Sequence, residues 1–182
     1  MTVYIEAEAL EAGLPWVREA PARAGPVDLV VRRPAEGERE VLAEGARDPM
    51  PGLVGDDWLV RAGASPDPAT QLTLMSSRVI GLITDGDRER WPLAGDQLYV
   101  DLDLSPENLP AGTRLAVGTA ITEVTDVPHT GCAKFTARFG PAAIRFVNSP
   151  PGRELRLRGM YVRVIEPGVV RPGDSIAKLD VQ

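Results

Sequence analysis

Chemically reactive side chains are scarce in this sequence of 182 residues. It holds one cysteine (Cys132), one histidine (His129) and two lysines (Lys134 and Lys178), beside eighteen arginines. A single cysteine excludes an internal disulfide. With one cysteine and one histidine, a protein-only Cys/His zinc site is limited to two such ligands. Schiff-base chemistry would fall to one of the two lysines. Long apolar runs are also missing, and none approaches the roughly 18 residues that a membrane-spanning helix needs. The N-terminal stretch lacks the basic start and apolar core of a signal peptide. The expectation is a soluble, cytoplasmic protein without a membrane partner. Nor is there an excess of positive charge: the formal net charge is −6. The field of the whole molecule repels phosphate backbones, which argues against nucleic-acid binding.

Hydrophobic residues make up 43% and charged residues 25%, the balance of a globular chain and not of a disordered or fibrous one. The length suits one domain, taken here as residues 1–182. Glycine (18) and proline (17) together fill close to one position in five, so the elements are short and a turn-rich, mostly β chain is expected. Residues 1–25 read as an irregular lead-in. Strands are expected at Val27–Arg33, Gln71–Met75 and Leu98–Leu104, where alternation puts Leu98, Val100, Leu102 and Leu104 inward. Thr113–Val117 and Ala120–Val124 flank Gly118-Thr119 as a hairpin, and Tyr161–Ile165 and Ser175–Leu179 complete the set. Ser76 opens a short helix with Val79, Ile80 and Ile83 on one face. About eight strands with one or two short helices suggest a β-barrel.

The rare groups cluster: His129, Cys132 and Lys134 fall within six residues in Pro128-His-Thr-Gly-Cys-Ala-Lys-Phe135. Pro128 stops the preceding strand, and Thr130 suits the cap of a helix whose buried stripe is Phe135 and Phe139. Gly140 and Pro141 end that helix and start the next. Cys132 then lies in a first helical turn, where free N–H groups and the dipole favour a thiolate. Gly131 would open access to the sulfur, and His129 would hydrogen-bond it or move a proton. Lys134 points away from Cys132 by the helical period. The plainer alternatives are a cysteine that only packs and a structural turn histidine.

A second group is Gly152-Arg-Glu-Leu-Arg-Leu-Arg-Gly159. In extended form, Arg156 and Arg158 share one side, and guanidinium forks suit phosphate or carboxylate. Solvated arginines are the plainer reading. Asn108, in Ser105-Pro-Glu-Asn-Leu-Pro110, reads as a turn residue, and Asp56 after Gly55 is equally ambiguous. Asp85-Gly-Asp87 is too short for a calcium loop. No phosphate-cradling glycine fingerprint occurs.

The ordered run Gly52-Leu-Val-Gly-Asp56, Glu107-Asn-Leu109, Gly112-Thr-Arg-Leu-Ala-Val-Gly118, Pro128-His-Thr-Gly-Cys-Ala-Lys-Phe135, Arg156-Leu-Arg-Gly159 and Val164-Ile-Glu-Pro-Gly-Val-Val-Arg-Pro-Gly-Asp174 resembles the MOSC domain. That is the C-terminal domain of molybdenum cofactor sulfurases, found also in stand-alone proteins. The resemblance spans roughly residues 25–180. It implies a pyruvate-kinase-barrel-like β-barrel and a signature cysteine, matched by Cys132, that accepts persulfide sulfur or ligates molybdenum. It implies molybdopterin as cofactor, held as a pterin phosphate or similar anion by Asn108, Thr130, Gly131, Lys134, Arg156 and Arg158, with His129 assisting. The pyridoxal-phosphate domain of the sulfurases has no counterpart here, so sulfur would come from a separate cysteine desulfurase that carries the pyridoxal phosphate. Two alternatives stand beside this reading. One is a molybdenum-dependent reductase of N-hydroxylated bases with its own redox partner, and the other is a non-catalytic cofactor-binding module.

Overall fold

A computed structural model describes residues 4–180. Its strands are β1 (Ala24–Arg32), β2 (Glu40–Val41), β3 (Gly45–Asp48), β4 (Gly52–Leu53), β5 (Leu72–Ser76), β6 (Leu98–Val100), β7 (Arg114–Val117), β8 (Ala120–Val124), β9 (Met160–Glu166), β10 (Gly168–Val170) and β11 (Ser175–Lys178). Its α-helices are α1 (Ala7–Ala12), α2 (Leu14–Arg18), α3 (Trp58–Ala62), α4 (Ser77–Ile83), α5 (Ala133–Asn148) and α6 (Pro150–Glu154), with 3-10 turns at Pro68–Thr70 and Arg88–Ala94.

Seven strands pair in the order β11-β7-β8-β9-β5-β6-β1, and β1 returns to β11 through Ala24, Gly25 and Pro26 opposite Ala177, Ile176 and Ser175. The ring is therefore closed, which removes the sheet edges. Closure is tight at Gly25, where a Cβ would sit 1.7 Å from the Asp101 carbonyl oxygen. Six pairings of the ring are antiparallel; β5 and β6 run parallel. Parallel strands need a crossover, and here it passes through α4 and the Arg88–Ala94 turn. A small sheet, β10-β3-β4, lies beside the barrel.

Side chains of a strand alternate between faces, and both faces of this barrel are buried. Leu72, Leu74, Leu98, Val100, Val162 and Val164 belong to the interior core. Met75, Tyr99 and Val31 belong to a second core, formed with Val79, Ile80 and Ile83 of α4 and Phe135, Phe139 and Phe146 of α5. The inward set Leu98, Val100, Leu102 and Leu104 matches the expectation from alternation. Regular pairing ends at Val100, however, and Tyr99 is fully buried as well, because the helical layer covers the outer face. Ser76 caps α4 as expected.

Two segments differ from the sequence reading. Within the irregular lead-in expected for residues 1–25, α1 and α2 form, because Leu10 and Val17 are buried in the helical layer. Arg153–Arg158 is not extended: α6 ends in a turn in which Arg156 has φ +49°. Arg156 and Arg158 consequently part company.

Candidate functional site: a basic cleft beside Cys132

Outside the barrel, Thr73 of β5 and Tyr161 of β9 face each other as a register pair. Their outward faces form the floor of a cleft of about 710 Å³. Its walls come from the chain after β1, from α3, from the segment before β6 and from the start of α5. Of the residues singled out in the sequence, His129, Cys132, Lys134 and Arg158 line it together.

Cys132 is exposed. It is the N-cap of α5, in extended conformation (φ −125°, ψ 177°), and its carbonyl accepts from the Thr136 N–H at 3.0 Å and hydroxyl at 3.2 Å. The cysteine thus precedes the first turn instead of lying within it, and Thr130 is exposed and caps nothing. The reason lies at Gly131. Its N–H donates to Asn148 Oδ1 at 3.2 Å, and a Cβ there would sit 2.1 Å from Ile144 Cδ1. Gly131 pins the loop against the second half of α5, where a side chain would have to displace Ile144. Within α5, Gly140 (φ +87°) breaks the helix where the sequence expects, and Phe135 and Phe139 are buried with ring centroids 4.8 Å apart.

His129 packs against Tyr161, with ring centroids 4.7 Å apart, and its side chain is 10% exposed. Burial, with the nearby Arg158 charge second, holds its pKa down at about 4. At neutral pH the ring is uncharged, a hydrogen-bonding group more than a proton store. Behind it lies Asp96, which is fully buried. Asp96 Oδ2 accepts from Arg158 Nη1 at 2.7 Å, while Oδ1 stands 3.8 Å from His129 Nδ1, beyond hydrogen-bond reach. Arg158 Nη2 donates to the Ala94 carbonyl at 3.0 Å, and its guanidinium lies 4.9 Å above the Phe135 ring. Three polar atoms of this corner are buried without a partner among the described residues: Asp96 Oδ1, His129 Nδ1 and Arg158 Nε.

Asn108 and Arg156 do not line the cleft. The Asn108 amide donates to the carbonyls of Ala22 (2.8 Å) and Asp103 (2.7 Å), as expected of a turn residue. Arg156 donates to the carbonyls of Leu104 (3.2 Å) and Leu109 (2.7 Å) and stabilises the same loop. Lys134 lies at the mouth, paired with Glu36 at 2.6 Å.

Six basic side chains face the cleft against two acidic ones, Glu36 and Asp57. Four of the six are paired: Arg33 with Asp56, Arg61 with Asp57, Lys134 with Glu36 and Arg158 with Asp96. Arg39 and Arg138 have no carboxylate partner among the described residues. Neither was singled out in the sequence, nor was Asp96. For Arg138 a signal existed, since it follows Lys134 by four residues and shares its helical face. Arg39 and Asp96 carried none.

Among proteins of known fold and family, the MOSC domain family matches residues 83–177, just over half of the chain. The chain belongs to the MOSC domain family. The match begins at the end of α4 and so omits β1 to β5, yet likeness to solved structures extends over most of the chain. YuaD of Bacillus subtilis superposes with a TM-score of 0.62 at 18% identity, covering 87% of this chain and 97% of that one. YiiM of Escherichia coli gives 0.57 at 20% identity, covering 87% and 71%, and YiiM of Geobacillus stearothermophilus gives 0.51 at 16%, covering 88% and 75%. At such identities the likeness establishes the shared barrel. No curated protein matches the sequence.

Proposed function

We propose that this MOSC protein binds the molybdenum–pterin cofactor in the cleft, with Cys132 as its protein sulfur ligand. The observation that carries this reading is an exposed thiol lining a basic cleft on a net acidic protein. The donor set fits such a group. Among the described residues no cluster of three or more His, Cys, Asp or Glu side chains could hold a bare metal ion. A metal that carries ligands of its own, as a pterin-bound molybdenum does, needs no such cluster, and a soft thiolate suits it. Once bound, the cofactor would supply redox chemistry at the metal. The chain's own contribution is to bind and orient: Cys132 offers sulfur, His129 a neutral ring, and the basic walls an environment for negative charge. The unpartnered atoms of His129 and Arg158, with Asp96 behind them, mark the polar corner of this cleft.

Sulfur carriage is the second reading, favoured by the exposure of Cys132, which a donor enzyme's persulfide can reach. A pyridoxal-phosphate-dependent cysteine desulfurase is the donor it calls for. Metal analysis and intact mass of protein from its native host separate the two readings. Molybdenum near one per chain, lost in Cys132→Ser, supports the cofactor reading. A metal-free adduct of about 32 Da on Cys132 supports sulfur carriage. Protein with neither refutes both.

A further inference from the structure

The geometry points to Arg39 and Arg138 as a cradle, over Gly95, for the phosphate group of a phosphomonoester. The inference rests on the reading of the cleft as an anion-binding site and deepens it, but it makes no use of Cys132. Of the six cations that face the cleft, these two alone lack a carboxylate among the described residues. Both are nonetheless held in place. Arg39 Nε donates to the Pro92 carbonyl at 3.1 Å, and Arg138 Nη1 to the neighbouring Leu93 carbonyl at 2.8 Å. Anchors on adjacent carbonyls bring the forks together at Gly95, where a Cβ would lie 3.4 Å from Arg39 Nη2 and 4.0 Å from Arg138 Nη1. Gly95 is left-handed (φ +89°), so it leaves this space open and resists a side chain that would fill it.

The anchors use only part of each fork. Arg39 Nη2 and Arg138 Nη2 and Nε have no acceptor among the described residues. Two like charges side by side repel, and their proximity helps depress the Arg39 pKa after burial. An anion between them would relieve that repulsion. Three free nitrogens on two planes suit the several oxygens of a tetrahedral dianion better than a single carboxylate, which one fork satisfies. The charges of Arg33 and Arg158 are already neutralised, the first by a two-pronged contact with Asp56 and the second by Asp96.

Calorimetric titration with inorganic phosphate and with phenyl phosphate tests the cradle. Wild type and Cys132→Ser should bind both alike. The R39A/R138A double variant should lose at least about tenfold in affinity, as expected when charge-assisted hydrogen bonds are removed. R39K/R138K keeps charge and bulk but loses the forks, so it guards against a folding artefact and should fall between. Unchanged affinity in both double variants, or no saturation of wild type at low-millimolar phosphate, would overturn the cradle. Molybdenum retention by R39A/R138A protein from cofactor-producing cells distinguishes the sources: a phosphate on the cofactor predicts reduced retention. Phosphate binding with no molybdenum or sulfur ever found on Cys132 sinks the cofactor reading alone. Molybdenum on Cys132 with phosphate affinity indifferent to both arginines sinks the cradle alone.

Discussion

Two buried polar clusters meet at the neighbouring residues Asp96 and Gln97, and they are satisfied to different degrees. In the first, Asp56 accepts from the Arg33 N–H (2.9 Å), Nε (3.0 Å) and Nη2 (2.7 Å) and from the Trp58 N–H (3.0 Å). Gln97 Oε1 accepts from the Thr73 N–H (3.0 Å) and hydroxyl (2.7 Å). Burial pushes the Asp56 pKa up, but the Arg33 bonds and charge prevail and hold it below the usual range. In the second cluster, Asp96 is tied to Arg158, while Asp96 Oδ1, His129 Nδ1 and Arg158 Nε lack partners. Leaving buried polar atoms unpaired costs stability. The first cluster is therefore what an element of the fold requires, and the second is what a ligand site tolerates.

The sharpest way to break this comparison is Asp56→Ala. It strands the largely buried Arg33 guanidinium and two backbone N–H groups, so it should destabilise the protein by about 3 kcal/mol in denaturant unfolding. A loss below about 1 kcal/mol would show that the first cluster is no better integrated than the second.

Next in size is a pH effect from His129. Its folded pKa of about 4 lies below the unfolded value of about 6.5. Between those values the unfolded chain binds the proton more readily, so stability falls as the pH is lowered from about 6.5 to about 4. The shift corresponds to a loss of about 3 kcal/mol across that window. His129→Phe keeps a ring beside Tyr161 and should remove this component of the slope. Equal slopes for variant and wild type would mean that the imidazole is not held neutral by burial.

Much of the barrel was legible because it follows from local rules. Alternation placed Leu98, Val100, Leu102 and Leu104, Ser76 announced α4, and Gly140-Pro141 marked the break in α5. Tyr99 escaped because period two assumes one wet face, and here helices cover the outside of β6. Leu10 escaped because a single apolar residue in a short helix carries no period. The cleft was legible along the continuous stretch from His129 to Lys134 and at Arg158. Arg39 and Arg138 reach it from separate parts of the chain, and the Pro92 and Leu93 carbonyls hold them there, while Asp96 stays behind the lining on Arg158. Arg156 and Arg158 look equivalent in sequence, yet a left-handed residue between α6 and β9 sends one to a loop and the other to Asp96.

Asp96→Asn sharpens the contrast further. The amide preserves shape and one acceptor toward Arg158 but removes the charge, and the site is already imperfectly paired. A cost of about 1–2 kcal/mol is expected, below that of Asp56→Ala. Equal losses for the two variants would place Asp96 with the fold and not with the site. Retention of molybdenum or sulfur on Cys132 gives the second readout, and it should drop in Asp96→Asn even though the protein stays folded.

The smallest effect belongs to Glu36, at the mouth of the same cleft. Its ion pair with Lys134 is short at 2.6 Å, but the side chains are 78% and 66% exposed, so solvent screens the attraction. Glu36→Gln should leave the unfolding midpoint unmoved. Glu36 is, however, one of only two acids facing six basic groups. Removing it raises the positive potential over the cleft, and phosphate affinity should increase by roughly twofold at low salt and revert in high salt. A gain that persists in high salt would mean that Glu36 blocks the cleft by shape instead of charge, with the Lys134 pair acting as a strap across its mouth.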